Sequence, residues 1–342
     1  MFPYKNQAEI IKTAYVSAAV LGCENRVEIE KQEIKERKSK RRYMEIVFVI
    51  LHYMAIEETK QSVEYIEKNI DTEKYGIVIV DNASPDGSGD KLVQLYGNAS
   101  NIKVIKTEKN LGFARGNNVG FRYSKKEWDP RYIVLMNNDV FLLEKNLIAK
   151  AEAEYQKSGF AVLGPMIMTG DGRCDINPQV PSFNSSADVR RKIRECEKDL
   201  RRYKIGYASA FYKAVRIKNV LFPGKSGREI KKDFLSRAEN VKLHGCFWIF
   251  SPNYIREYDG LDESTFLYWE EEILYKQMQH DGKKMVYLPE IKVYHLEDAS
   301  TDAALTSSRK KMIFTRTEYI KSLNALLKLY DLYEKNDGIK KA

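Results

Sequence analysis

EIVFVILHY, residues 45–53, is an apolar, β-branched run that ends abruptly in a histidine and a tyrosine. Glu45–Leu51 shows no polar/apolar alternation, which fits a strand buried on both faces of its sheet. The chain then repeats the theme. Glu57–Asn69 has Val63, Ile66 and Ile70 at helical spacing, and GIVIV (76–80) is a second strand that runs into DNASPDGSG (81–89), a loop by composition. A helix near Asp90–Tyr96, a strand at Ile102–Lys106, a helix near Gly116–Lys125 and a strand at Arg131–Met136 complete the series. Strands separated by helical stretches spell βαβ units, hence an α/β fold with a mainly parallel central sheet flanked by helices. In such sheets ligands sit beyond the carboxyl ends of the strands. His52-Tyr53, Asp81-Asn82, Asn110-Leu111-Gly112 and Asn137-Asn138-Asp139 all fall at such ends.

Working outward, residues 1–43 read as a helical N-terminal extension, apolar over Glu9–Cys23 and charge-dense over Glu28–Arg42, suited to homo-oligomerisation. The α/β half covers 44–170. Residues 171–242 interrupt it with a loop (Asp171–Asp188), a basic helical run (Val189–Tyr203) and an aromatic-basic stretch to Arg237. Residues 243–300 resume with a strand at Gly245–Ser251, a helix at Glu270–His280 and short strands at Val286–Leu288 and Lys292–His295. In 301–342, Ser307–Tyr333 reads as a packed amphipathic C-terminal helix.

The chain has 342 residues and a net charge of +9, unevenly placed. Arg190–Lys242 holds 17 Lys and Arg against 6 Asp and Glu, a local +11, so the remainder is close to neutral. Such a block suits an anionic membrane face, a phosphate-bearing acceptor or nucleic acid, and equally a solvated helix face. The four cysteines are far apart and lack a C-x-x-C pair, which argues against a disulfide framework and structural zinc. No run reaches the eighteen apolar residues of a spanning helix, and Ala14–Cys23 has no basic stretch before it. A cytoplasmic protein is expected, at most peripheral at the inner face of the plasma membrane.

Three clusters can carry chemistry. Asp139 follows a buried strand and two amides, where one carboxylate and a substrate diphosphate could share a hard divalent cation; a turn or helix-cap aspartate is the plainer account. Asp81 could accept from the imide N–H of a pyrimidine base, or close an Asx turn. NLGFARGNN (110–118) has small residues that let a ligand approach, and a helix starting there offers N–H groups to phosphate.

Taken in order, VILHY (49–53), VDNASPDGS (80–88), NLGFARGNNVG (110–120), LMNND (135–139), HGCFWIFS (244–251), FLYWEEEIL (266–274) and VYHLEDAS (293–300) resemble the inverting family 2 glycosyltransferases of GT-A fold, especially bacterial rhamnosyltransferase-like members. The resemblance spans about residues 44–300. It implies a Rossmann-like nucleotide-diphospho-sugar transferase fold, with 44–170 binding the donor, 171–242 on the acceptor side and 243–300 completing the catalytic half. Asp81 would hold the nucleobase with His52, Tyr53, Asn82 and Ser84 nearby; Asn110, Gly112, Phe113 and Asn117 would line the donor pocket; Asn137, Asn138, His244 and Trp269 would complete substrate binding. Asp139 would meet a Mn²⁺ or Mg²⁺ ion with His295. Asn137 departs from the family's first metal-motif carboxylate, which leaves the cation to arrive with the diphosphate. FLYWEEEIL places the catalytic base at Glu271, with Glu270 and Glu272 beside it. Its task would be to take the proton of an acceptor hydroxyl on a lipid-linked or cell-surface glycan. Three glutamates opening a helix could also simply complement its dipole. Residues 49–60 contain no glycine, which sets aside a nucleotidyltransferase, and no Q-x-x-R-W motif marks a processive synthase. A catalytically silent glycan-binding scaffold and, less favoured, a nucleic-acid binder are the other readings.

Overall fold

The structure is a computed structural model that describes residues 42–205, 233–296 and 308–341. The extension expected over 1–43, the aromatic-basic stretch within 206–232 and the end of VYHLEDAS lie outside the described residues, apart from the first residues of β1.

The first half is built as its composition dictates. Strand β1 (Arg42–His52), helix α1 (Ile56–Asn69), β2 (Tyr75–Asp81), α2 (Ser88–Tyr96), β3 (Ile102–Lys106), α3 (Phe113–Glu127) and β4 (Trp128–Asn137) alternate along the chain. The four strands lie parallel in the order β3-β2-β1-β4. Ile46–Ile50 is wholly buried; Ile46, Phe48 and Ile50 join the core on one face of the sheet and Val47 and Val49 that on the other. Helix α1 opens on Glu57 and Glu58 and closes on Lys68, charges that complement its dipole.

The second half departs from the parallel expectation. It contains β5 (Val140–Leu142), α4 (Leu147–Ser158), β6 (Val162–Thr169), α5 (Ser186–Ile205), β7 (Ala238–Glu239), β8 (Phe247–Phe250), α6 (Pro252–Ile255), α7 (Glu270–His280), β9 (Met285–His295) and α8 (Ser308–Lys341). The sheet continues β4-β8-β6-β9-β5, with β7 on β9. Strand β8 is antiparallel to β4 and β6, while β6 and β9 are parallel. A parallel neighbour needs a crossover that returns the chain to the opposite end of the sheet. Here the chain enters β8 beside the end of β4, where Phe247 pairs with Met136. That entry carries His244–Cys246 to the carboxyl edge of the parallel half. The two short strands expected at 286–288 and 292–295 are one strand, β9, with a register shift around Pro289.

A smaller core joins α5, α7 and α8 through Val189, Ile193, Ile273, Leu323, Leu326 and Tyr330. The C-terminal amphipathic helix is therefore packed, as its spacing suggests. Much of the described part of the basic block is paired: Arg190 forks onto Asp331 at 2.7 and 2.8 Å, and Arg191, Lys192 and Arg202 meet acids on their own helix.

Candidate active site

The register brings the polar strand ends together. His52 pairs with Asp81, Leu51 with Asn137, and Val140 and Thr169 both with His295. The Asn137 N–H donates to the Cys246 carbonyl at 3.0 Å, which ties the approach to β8 into the same edge.

Beyond that edge lies a cavity of about 780 Å³, whose lining includes Phe113, Asn137, His244, Trp269, Glu270 and Glu271. These six residues were all expected at the site. Sequence reasoning missed others in the wall: Gln179, Ser182 and Lys242 from the middle segment and Tyr319 from α8. No local signal marks them, because each reaches the cavity through tertiary packing.

The three glutamates differ sharply. Glu272 is 1% exposed, accepts from the Ser182 N–H at 3.1 Å and forms a buried ion pair with Lys242 at 2.7 Å. Glu270 is also buried and accepts from Thr265 Oγ1 at 2.8 Å. Glu271 is half-buried, and its Oε1 accepts a longer bond, 3.3 Å, from the Gly245 N–H. A methyl on Gly245 would stand 3.0 Å from that oxygen, so a larger residue there would push the carboxylate back by a few tenths of an ångström. The helix start itself is strained. Tyr268 (φ 74°) and Trp269 (φ 73°) are consecutive left-handed residues, each costing about 1–3 kcal/mol, and such strain concentrates at functional sites.

Burial, and then the neighbouring charge of Glu271, push the Glu270 carboxyl up to about 7. Between the ordinary glutamate value and 7 the folded state therefore holds a proton that the unfolded chain has lost. Stability falls as pH rises through that window and levels off above it, by up to about 3 kcal/mol in total. Glu270→Gln keeps an acceptor for Thr265 and should flatten this loss between pH 5 and pH 8 in urea unfolding. Parallel pH profiles for wild type and variant would remove Glu270 as the cause.

Asp139 and His295 are both buried, with Oδ1 and Nε2 3.3 Å apart. Burial disfavours the charged imidazole, but the Asp139 carboxylate and the adjacent Cys246 thiol outweigh it and push His295 up to about 10. Among the described residues no nitrogen or oxygen is placed to bond the His295 Nδ1, which faces the Cys246 side. Among the described residues no group of three His, Cys, Asp or Glu is placed to hold a metal. A cation could join the two only by displacing the proton that His295 carries, and it would have to bring other oxygen ligands with it. The pair thus fits a divalent ion delivered with a diphosphate and does not fit one caged by protein alone.

On the donor side two expectations need correction. His52 is fully buried, with Nδ1 2.7 Å from Thr59 Oγ1 and Nε2 2.8 Å from Ser88 Oγ, so both ring nitrogens are committed to the fold. Asn138 donates to the Ala55 carbonyl and to Thr59 Oγ1, each at 3.1 Å, and ties β4 to α1 instead of facing a substrate. Asp81 does close an Asx turn, accepting from the Ser84 N–H at 3.0 Å, and a methyl on Gly89 would overlap its other oxygen. Ser84 Oγ in turn accepts from the Met54 N–H, next to half-buried Tyr53. Asn82 donates to Asn110 Oδ1 and the Gly112 carbonyl and accepts from the Leu111 N–H, fixing the turn before α3. Gly112 (φ 82°) must be glycine, since a Cβ would strike the Phe266 carbonyl. At the start of α3, where N–H groups are expected to face phosphate, two are closed internally: Gly112 donates to Asn110 Oδ1 and Phe113 to the Phe266 carbonyl. Asn117 Oδ1 is buried without a partner among the described residues.

A sheet of this order, with polar side chains from five strands at one edge, defines a Rossmann-like α/β protein, a class whose ligands sit beyond that edge. Residues 47–220 match the family described as Glycosyl transferase family 2; the chain belongs to that family, and its architecture is the GT-A fold. It is 22% identical over 227 residues to the low-salt glycan biosynthesis hexosyltransferase Agl10 of Haloferax volcanii, a match covering 66% of this chain and 59% of that protein. Similar solved structures include S. aureus TarS 1–349 with UDP-GlcNAc (14% identity, 80% of this chain and 66% of that one, TM-score 0.47). Another is GalNAc-T7 with UDP, GalNAc and Mn²⁺ (14% identity, 79% and 47%, TM-score 0.48).

Proposed function

We propose that the protein is an inverting glycosyltransferase that moves a sugar from a nucleoside diphosphate donor, dTDP-rhamnose or a UDP-hexose, to a glycan hydroxyl. The observation that carries this reading is the contrast among the glutamates. All three glutamates line the cavity, but Glu272 and Glu270 are held by Lys242 and Thr265, whereas among the described residues Glu271 has just the long Gly245 hydrogen bond. A hydroxyl bound in the cavity gives its proton to the Glu271 carboxylate as its oxygen bonds to the anomeric carbon. The bond from that carbon to the diphosphate oxygen breaks on the opposite face, and the electron pair leaves with the diphosphate, which inverts the centre. Asp139 and His295 would hold Mn²⁺ or Mg²⁺, whose charge offsets that of the departing diphosphate. The hexosyltransferase named for glycan biosynthesis among the relatives supports the sugar and acceptor class.

A lipid-linked acceptor would be met at an anionic membrane surface, where Arg194 and Arg201 are exposed on α5. Among the described residues no helix is long and apolar enough to cross a membrane. Self-association through residues 1–43 belongs to the same proposal.

A panel of nucleotide sugars, assayed for transfer and thermal stabilisation with and without Mn²⁺ or Mg²⁺, tests the reading. One donor should raise the melting temperature by mass action. Asp81→Ala should weaken UDP or dTDP binding at least about tenfold, as loss of a charged hydrogen bond to the base would. Stabilisation by no donor, or full activity in excess chelator, would refute the donor or the metal assignment respectively. Unchanged affinity in Asp81→Ala would leave that residue to its turn alone.

A further inference from the structure

The segment that presents Glu271 is in contact with the C-terminal helix. Residues 266–269 lead into α7, and their left-handed pair, Tyr268 and Trp269, persists only where surroundings impose it. Helix α8 packs against this turn. Thr315, Tyr319 and Ser322 stand at i, i+4 and i+7 and share one face. Ser322 Oγ, buried, donates to the Leu267 carbonyl at 2.9 Å. The Tyr319 ring meets Tyr268 edge-on at 4.6 Å and Trp269 at 5.5 Å, and it also lines the cavity. Thr315 Oγ1 is 3.5 Å from the Tyr268 hydroxyl, and Phe183 packs against Trp269 at 5.2 Å. The turn at 266–269 and helix α8, which starts at Ser308, both lie beyond the matched residues 47–220.

We propose that Tyr319 and Ser322 are positioning residues: they hold 267–269 in the left-handed course that starts α7 at the cavity wall and so aim Glu271 at the acceptor. The inference rests on the reading of the cavity as the acceptor site. Neither residue exchanges a proton or a bond with substrate. Their contribution is geometric, and small misplacements of a reacting group can lower rates by about 10²-fold.

The full chain tests this with two readouts. Tyr319→Ala should lower kcat for sugar transfer at least about tenfold at saturating donor, with UDP affinity within about twofold of wild type. Amide exchange over 266–273 should speed up while β1–β4 stay protected. Tyr319→Phe, which keeps the ring, should recover most of both losses relative to Tyr319→Ala. Ser322→Ala removes one hydrogen bond without disturbing the helix seam and should show the same pattern more weakly, which covers a failure of Tyr319→Ala to fold. Unchanged exchange over 266–273 in the alanine variants would overturn the proposal, as would a loss of UDP affinity parallel to the loss of rate. A wild type that transfers no sugar would instead refute the functional reading, and the exchange measurement would still decide whether the brace exists.

Discussion

Glu271→Gln should lower the rate of sugar transfer by about 10²–10⁴-fold while donor affinity stays near wild type, because positioned base catalysis is of that size. The amide keeps the side chain's volume and can still accept from the Gly245 N–H, but it cannot take a proton from the acceptor. Its neighbours serve as controls. Glu270→Gln retains the Thr265 bond and should affect rate little. Glu272→Gln disturbs the Lys242 pair and should show mainly as lost stability. If Glu270→Gln is the severe variant, the base is its carboxylate and the mechanism survives with a different residue. If none of the three changes the rate tenfold when chemistry limits turnover, no base operates from this helix start, and a silent binding protein becomes the better reading.

The parallel strands could be read from composition alone, since buried runs such as IVFVIL and GIVIV have few other uses and end in polar residues at the edge that binds ligand. Phe113, Asn137, His244, Trp269 and the glutamates came instead from the resemblance to the glycosyltransferase motifs. They sit at element boundaries, where a side chain's position follows from the element. His52 and Asn138 show the limit. Both occupy strand ends, yet a ring or amide there can turn back to satisfy Thr59, Ser88 or Ala55, and spacing does not reveal the rotamer. The choice among Glu270, Glu271 and Glu272 was open in sequence for a related reason: all three complement the helix dipole, and only Thr265 and Lys242 distinguish them. The antiparallel β8 was hidden because a short apolar strand has no direction in its composition. Lys242 was misleading in kind. In the sequence it counts toward a basic surface block, whereas in the fold it is buried against an acid thirty residues away.

That last residue carries the second large effect. Lys242 and Glu272 are 6% and 1% exposed, and the ammonium also donates to Ser182 Oγ at 3.1 Å. Removing one partner of such a pair strands the other charge away from water, so Lys242→Met should destabilise the protein by about 3–5 kcal/mol. The comparison that isolates the charge is the double variant Lys242→Met/Glu272→Leu. Two apolar residues of similar volume leave no orphan charge and should recover most of the loss, since replacing a whole buried pair is often close to neutral. Surface lysines behave differently: truncating one typically shifts stability by less than about 0.5 kcal/mol. Unfolding in urea therefore separates the two views of Lys242, and a single variant no less stable than the double would return it to the surface block. Activity should follow a different order. Glu272 holds the Ser182 backbone at the cavity wall through both carboxylate oxygens, so the double variant should regain stability but not the acceptor KM of the wild type.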